Sequence, residues 1–525
     1  MSGAIFKSTS VVGLTTLLSR VTGLLRDMVY SQAFGAGTLM DAFLVAFKIP
    51  NFLRRLFAEG AFSQSFVPVI SEYKVRREHA EVRELVGGVV GTLGAVLFVV
   101  TLVGVLAAPI IILLFAPGFT QEAGKYELAV DMLRWTFPYL FFISLTALFS
   151  GVLNSYGRFA VPAFTQVVMN LVMILFALGI ATHSDSPGIV LAIGVFVAGV
   201  AQVLIQLPSV AKLGLLSRPR WQPAAEGVQR IGKLMIPGII GSSMAQVSLL
   251  LDTLIASFLV TGSIAWLYYA DRLMEFALGV FSIALATVIL PRLSSQHSAG
   301  DTERFSATLD WSLRLVIVVV VPAAVGLLVL AGPITATIFG YGEFSARDVQ
   351  MTQYGLMAYS WGLIGFSLVK VLAPGYFARQ DTKTPVRVGL IALAVNMGLN
   401  VGVVLPAHYA GFATPFVLLA TSTCISAAVN SFMLWRGLLR DGVYRPAAGW
   451  QTLLLRVLAA NGAMALVLLW LAPTLESWIA AAPAVRALRL AGCIGAGALV
   501  YAAVLAVLGL RPAHLRNTSP RGESR

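Results

Sequence analysis

The chain has 525 residues, of which 58% are hydrophobic and 12% charged, with a formal net charge of +13. That balance excludes a soluble globular domain and describes an all-α polytopic membrane protein. It also argues against nucleic acid as a partner, because the basic residues are segregated along the chain in the way that membrane topology requires.

A membrane-crossing helix needs about 20 mostly apolar residues. About fourteen stretches qualify, near 5–33, 40–70, 86–115, 126–153, 160–181, 188–211, 232–260, 264–294, 308–331, 349–375, 385–405, 411–435, 452–472 and 485–509. The N-terminus carries Lys7 but no small-residue cleavage site after a compact apolar core, so the first stretch reads as an uncleaved helix. Within it, VVGLTTLLSRVTGLLRDMVYSQAF holds Arg20, Arg26 and Asp27; Arg20 and Asp27, seven apart, share a face.

The second stretch, DAFLVAFKIPNFLRRLFAEGAFSQSFVPVISEY, carries Asp41, Lys48, Arg54, Arg55 and Glu59, with Pro50 bending the helix. A single ionisable group at membrane depth can snorkel or pair with a neighbour. Five on one segment argue for a polar cavity.

Connections after even-numbered stretches are basic, for example Lys74, Arg76, Arg77 and Arg83, and later Lys212, Arg218, Arg220, Arg230 and Lys233. Connections after odd-numbered stretches carry few cations, which places both termini in the cytoplasm. The connection before the last stretch, with Arg486 and Arg489, is the exception.

An internal duplication is also visible. Leu106, Ala107, Pro109, Ile110, Phe115 and Gly118 recur 224 residues later as Leu330, Ala331, Pro333, Ile334, Phe339 and Gly342. Six stretches per copy, an even number, give two lobes in the same orientation. Paired repeats are the architecture of secondary transporters. The expected layout is an N-lobe over 1–223, a C-lobe over 224–446, two further helices over 447–510 and a basic cytoplasmic tail over 511–525.

The eighth stretch, within the second copy, contains Asp271, Arg272 and Glu275, which are surface neighbours on a helix. Together these charges suggest an anion site. Arginine presents a planar fork suited to phosphate and keeps its charge when desolvated. Arg20, Arg26, Arg54 and Arg272 are the candidate ligands, with Asp27, Asp41, Glu59 and Glu275 orienting them or exchanging partners. Asp252 with Asn396 and Asn400 offers oxygen ligands for Na⁺, and equally offers hydrogen bonds between helices. No histidine has a partner at metal-ligand spacing and no P-loop occurs, so the chain reads as a non-enzyme. Cys424 and Cys493 lie in apolar stretches and read as packing residues.

At SRVTGLLRD (19–27), MDAFLVAFKIPNFLRRLFAEGAFSQSFVPV (40–69), YYADRLMEF (268–276) and KVLAPGYFARQDTKTPV (370–386) the chain resembles the MurJ (MviN) family of lipid II flippases, within the multidrug/oligosaccharidyl-lipid/polysaccharide exporter superfamily. The resemblance extends over essentially the whole length. It implies two six-helix lobes around a central cavity, with helices thirteen and fourteen forming a lipid-tail groove. It also implies translocation of lipid-linked peptidoglycan precursor across the bacterial cytoplasmic (inner) membrane, with membrane lipids and cell-wall synthases as candidate partners. Arg20, Arg26, Arg54 and Arg272 match the family's central cations, Asp41 an acidic partner and Glu275 a further carboxylate. Asp252, Asn396, Asn400 and Thr421 match a sodium site, where this chain has Asn400 in place of an aspartate. Ala265 stands where some relatives have a cavity serine. An exporter of another lipid-linked oligosaccharide or of drugs is the competing expectation.

Overall fold

The computed structural model describes residues 2–55 and 62–510; within these, side chains are described except at 2–12, 63–64, 237–249 and 280–288. Glu59 and the 511–525 tail therefore lie outside the described residues.

The helices, in chain order, are α1 (Ser2–Phe34), α2 (Thr38–Arg54), α3 (Ser63–Arg76), α4 (His79–Leu106), α5 (Ala108–Phe115), α6 (Lys125–Thr136), α7 (Tyr139–Ser155), α8 (Ala160–Gly179), α9 (Pro187–Ala211) and α10 (Glu226–Ser257). They continue as α11 (Ser263–Ser298), α12 (Thr302–Val329), α13 (Ala331–Ile338), α14 (Ala346–Phe377), α15 (Lys383–Leu399), α16 (Leu405–Tyr409), α17 (Pro415–Arg440), α18 (Trp450–Leu471), α19 (Leu475–Ile479) and α20 (Pro483–Val507). Among the described residues, ten helical stretches are long and apolar enough to cross a membrane. They coincide with ten of the fourteen expected spans. The other four fall on α1, α2 with α3, α10 and α11, which are the helices carrying the candidate charged residues.

The sequence repeat is also a repeat of local structure. α4 and α12 are both 28 residues long, and each is followed at once by an eight-residue helix, α5 or α13. Pro109 and Pro333 enter near the starts of these short helices, where a missing N–H costs nothing.

The chain divides into two compact units, Met1–Ala265 and Trp266–Arg525. In the first, α8 packs against α1 and α9, and α2 against α6. Packing in lipid gains little from the hydrophobic effect, so polar cross-links between helices matter more. Gln202 of α9 donates to the Thr165 carbonyl at 3.0 Å, Gln206 to the Thr146 carbonyl at 3.2 Å, and Thr136 of α6 to the Ala46 carbonyl at 2.7 Å. The connection after α9 lies along α4, where the Arg220 N–H donates to the Gly87 carbonyl at 3.0 Å. A Cβ at Gly91 would stand 2.2 Å from the Arg220 carbonyl oxygen, so the strap needs glycine there.

In the second unit, α14 packs against α12 and α17. Both cysteines are buried and free. Asp310 of α12 organises the approach to α18: it accepts from Tyr444 Oη at 2.8 Å, Trp450 Nε1 at 2.7 Å, the Ala447 N–H at 3.2 Å and Arg314 Nε at 2.7 Å. Val318, Leu453, Val457, Ala460 and Leu505 form the core that joins α12, α18 and α20. Arg486 is buried near the start of α20. It donates to the carbonyls of Ala481 (2.8 Å), Ala336 (2.9 Å), Gly340 (2.8 Å) and Ile479, so its charge neutralises the carbonyl ends of α13 and α19. That clamp accounts for one of the two arginines that break the charge rule.

Candidate functional site

Arg26 and Asp27 form a buried ion pair on α1, 5% and 0% exposed respectively. Arg26 Nε and Nη2 donate to Asp27 Oδ1 at 3.1 and 2.8 Å, and Nη1 donates to Asn170 Oδ1 at 3.1 Å. Asn170 of α8 is held for this role, because its Nδ2 donates to the Ser19 carbonyl at 3.2 Å and to Thr22 Oγ1 at 3.1 Å. The Tyr30 ring lies 5.6 Å from the guanidinium carbon. A pair so placed is tolerated in a membrane only because each charge is met by its opposite and by hydrogen bonds. Arg20 is half-buried on the same helix and makes no hydrogen bond or ion pair among the described residues. Sequence reasoning put Arg20 and Asp27 on one face and passed over Asn170. An asparagine within an otherwise apolar helix was the available signal.

The second constellation surrounds Asp41, in the first turn of α2 and 1% exposed. Its Oδ2 accepts from Lys125 Nζ at 3.0 Å and from the Gly262 N–H at 2.8 Å, and its Oδ1 accepts from the Ala265 N–H at 2.9 Å. Gly262 and Ala265 bracket the first residues of the 36-residue α11, so the carboxylate caps that helix and faces its positive end. Lys125 is 3% exposed and also donates to Glu122 Oε2 at 3.1 Å and Thr261 Oγ1 at 3.2 Å. Thr38 and Thr261 donate to Glu122 in turn. Burial alone would raise the Glu122 carboxyl, but hydrogen bonds from Thr261, Thr38 and Lys125 outweigh it and hold it below the ordinary carboxylate range. The cation at Asp41 is thus Lys125, which was not among the sequence candidates, and not one of the arginines.

Arg54 ends α2, half-buried, with Nε donating to Asn51 Oδ1 at 2.8 Å. On α11, Arg272 Nη1 meets Glu275 Oε2 at 3.4 Å, as their three-residue spacing predicts. This pair is 34% and 49% exposed, so solvent weakens it and leaves both groups accessible. The start of the second unit is pinned by Trp266, whose Nε1 donates to Asp348 Oδ1 at 2.8 Å.

Of the sodium candidates, Asp252 is in the first unit, while Asn396, Asn400 and Thr421 are in the second. Asn396 and Asn400 are buried on successive turns, the latter opening a widened helical turn, Asn400–Val404. Thr421 donates its hydroxyl to the Val417 carbonyl at 2.8 Å. The donors within the second unit are all neutral, and a buried monovalent cation held by neutral oxygens alone lacks compensating charge.

The family model described as lipid II flippase MurJ matches residues 30–485. The chain is 46% identical to a probable lipid II flippase MurJ of Vibrio cholerae, over 97% of this chain and 97% of the relative. It is 40% identical to a lipid II flippase MurJ of Burkholderia cenocepacia, over 98% and 99% of the two chains. Among solved structures, a lipid II flippase MurJ in an inward closed conformation matches with a TM-score of 0.78 at 24% identity, covering 94% of this chain and 98% of that one. An inward-facing multidrug resistance MATE family transporter of the MOP superfamily matches with a TM-score of 0.64 at 13% identity, over 81% and 95%. These two structural likenesses bear on the fold alone.

Proposed function

We infer the function from one premise: this chain belongs to the lipid II flippase MurJ family. It is a multi-pass membrane transporter, and we propose that its cargo is lipid II, moved from the inner to the outer leaflet of the cytoplasmic membrane by alternating access for cell-wall synthesis. Both termini are assigned to the cytoplasmic side on the charge segregation of the connections. Cell-wall synthases are the partner class that would consume the product on the outer face.

The chemistry follows from the cargo. A sugar-peptide headgroup carrying a pyrophosphate is too polar to cross hydrocarbon unaided, whereas its polyprenyl tail is at home there. The observation that carries the reading is the buried Arg26–Asp27–Asn170 constellation, which keeps a cation buried on the first expected span with a carboxylate as its resting partner. We assign the pyrophosphate to arginine forks: Arg20 and Arg54 of the first unit, and separately Arg272 of the second, whose Glu275 partner is weakly held. Arg26 joins by exchanging Asp27 for a phosphate oxygen. An inside-negative potential favours outward movement of an anionic headgroup by about 2.3 kcal/mol per charge per 100 mV if it traverses the whole field. We therefore assign the driving force to the membrane potential and no step to Na⁺.

The test is genetic. Cells depleted of their own lipid II flippase should regain growth when they express this chain, and should fail with Arg26→Ala produced at equal membrane levels. Growth with the alanine variant would remove Arg26 from the cargo site. Failure of the intact chain, folded and in the membrane, would favour another lipid-linked glycan as cargo.

A further inference from the structure

The stretch KVLAPGYFARQDTKTPV (370–386) carries part of the family resemblance, yet it supplies no residue to the site described above. It turns from α14 into α15 after the tenth expected span, on the side that charge segregation assigns to the cytoplasm. The Asp381 N–H donates to the Tyr376 carbonyl at 3.1 Å and the Gln380 N–H to the Phe377 carbonyl at 2.9 Å, the bond pair of a Schellman motif. The first copy has the same motif between α7 and α8. There the Arg158 N–H donates to the Leu153 carbonyl at 2.9 Å and the Gly157 N–H to the Asn154 carbonyl at 3.0 Å, each 223 residues before its counterpart.

The two copies differ at the residue that must be left-handed. Gly157 takes φ +74° without strain, whereas the second copy holds Gln380 at φ +61°, the one non-glycine residue with positive φ among the described residues. A Cβ in that region crowds the following carbonyl oxygen, which glycine avoids. Gln380 is exposed, so burial does not account for keeping a side chain there, and strain held at an exposed turn points to a use for the carboxamide. Beside it, Arg379 Nη1 is buried with no hydrogen-bond partner and approaches Asp441 Oδ2 only to 3.9 Å. A buried donor left open calls for a ligand. Asp381 does not answer it, since its Oδ1 accepts from the Thr384 N–H at 3.0 Å and caps α15. Lys383 and Arg387, four apart at the start of α15, are exposed and in no ion pair among the described residues.

We propose that this turn is a loading subsite for the anionic headgroup of the cargo, engaged from the inner leaflet. Arg379 donates to the phosphate oxygens, Lys383 and Arg387 draw the headgroup in, and the Gln380 carboxamide pairs with an amide of the attached sugar-peptide. The subsite rests on the flippase reading and adds to it the residues that meet the headgroup before it reaches the buried arginine.

Lipid II would be titrated into purified protein in phosphatidylcholine nanodiscs and bound lipid counted by native mass spectrometry, with thermal unfolding measured alongside. Gln380→Gly should raise the unfolding midpoint, because the strain is relieved, and yet weaken lipid II binding about tenfold. Arg379→Gln should weaken binding about as much. The reciprocal variant Gly157→Gln should lower the midpoint and leave binding unchanged. Opposite signs for stability and affinity are what a purely structural turn does not give. Unchanged lipid II affinity in Gln380→Gly, a lowered midpoint in that variant, or a matching loss of affinity in Gly157→Gln would overturn the subsite while leaving the flippase reading intact. An equal loss of phosphatidylglycerol binding in the same variants would overturn the cargo assignment in favour of ordinary lipid phosphate. No binding of lipid II by the intact, folded protein would instead overturn the flippase reading, and the subsite with it.

Discussion

Lys125 and Asp41 are 84 residues apart in the chain and 3.0 Å apart in the fold, and both are buried. Asp41 also accepts two backbone N–H groups at the start of α11, and Lys125 also reaches Glu122 and Thr261. One ion pair therefore ties α2, α6 and the α10–α11 turn together. Gly118 reinforces the tie, since its N–H donates to Ser257 Oγ at 3.1 Å at the end of α10.

Removing one partner of a buried pair costs more than the pair contributes, because a charge is left uncompensated. Lys125→Met should destabilise the protein by about 3–5 kcal/mol, measured by reversible unfolding in mixed micelles. The double variant Lys125→Met with Asp41→Asn should lose clearly less than the sum of the two single losses. Strict additivity would show that the two residues do not act as a pair.

Glu122 makes the same region sensitive to acid. Its carboxyl is held below its ordinary value of 4.5 in the folded state, so its contribution is fully present above that value. The contribution declines as pH falls below 4.5 and is gone once pH has passed through the lowered folded value. Unfolding midpoints measured at descending pH should therefore fall less steeply for Glu122→Gln than for the unaltered protein. Parallel curves would refute the assignment.

Arginine and lysine are not equivalent where a fork is needed. Arg272→Lys keeps the charge and should fold normally, yet should translocate lipid II more slowly because it cannot grip two phosphate oxygens at once. Arg26→Lys should be impaired in stability as well, since one ammonium cannot reproduce the bridge between Asp27 and Asn170. Unimpaired transport by the Arg272 variant would remove pyrophosphate clamping at that position.

The strap along α4 gives a backbone test. Gly91→Ala places a Cβ 2.2–2.4 Å from backbone atoms of Arg220, which cannot yield as a flexible side chain would. The cost should be about 1–3 kcal/mol. Gly94→Ala, one turn on with nothing within 4 Å, should be neutral or slightly stabilising in the same unfolding assay.

Much of the fold was legible in the sequence because lipid imposes helices, and hydropathy marks where they run. The expected spans 86–115 and 308–331 ran through the breaks after α4 and α12, whereas the Arg272–Glu275 contact was given by its spacing. Lys125 was not legible. A lysine at a helix edge looks like any loop charge until the chain folds back to bring Asp41 beside it. Arg486 was misleading for a related reason. A buried arginine that donates to four carbonyls is written the same way as one at the membrane surface, so it read as a breach of the charge rule. Glu59 lies outside the described residues, and the sodium candidates divide between the two units, Asp252 in the first and Asn396, Asn400 and Thr421 in the second.

The central claim is tested most directly by lipid II translocation in vesicles reconstituted with the purified protein, at a set membrane potential and with or without Na⁺. The account predicts movement that follows an inside-negative potential, ignores Na⁺ and is lost in Arg26→Ala. Translocation that requires a Na⁺ gradient at zero potential, or that persists in the Arg26 variant, would contradict it.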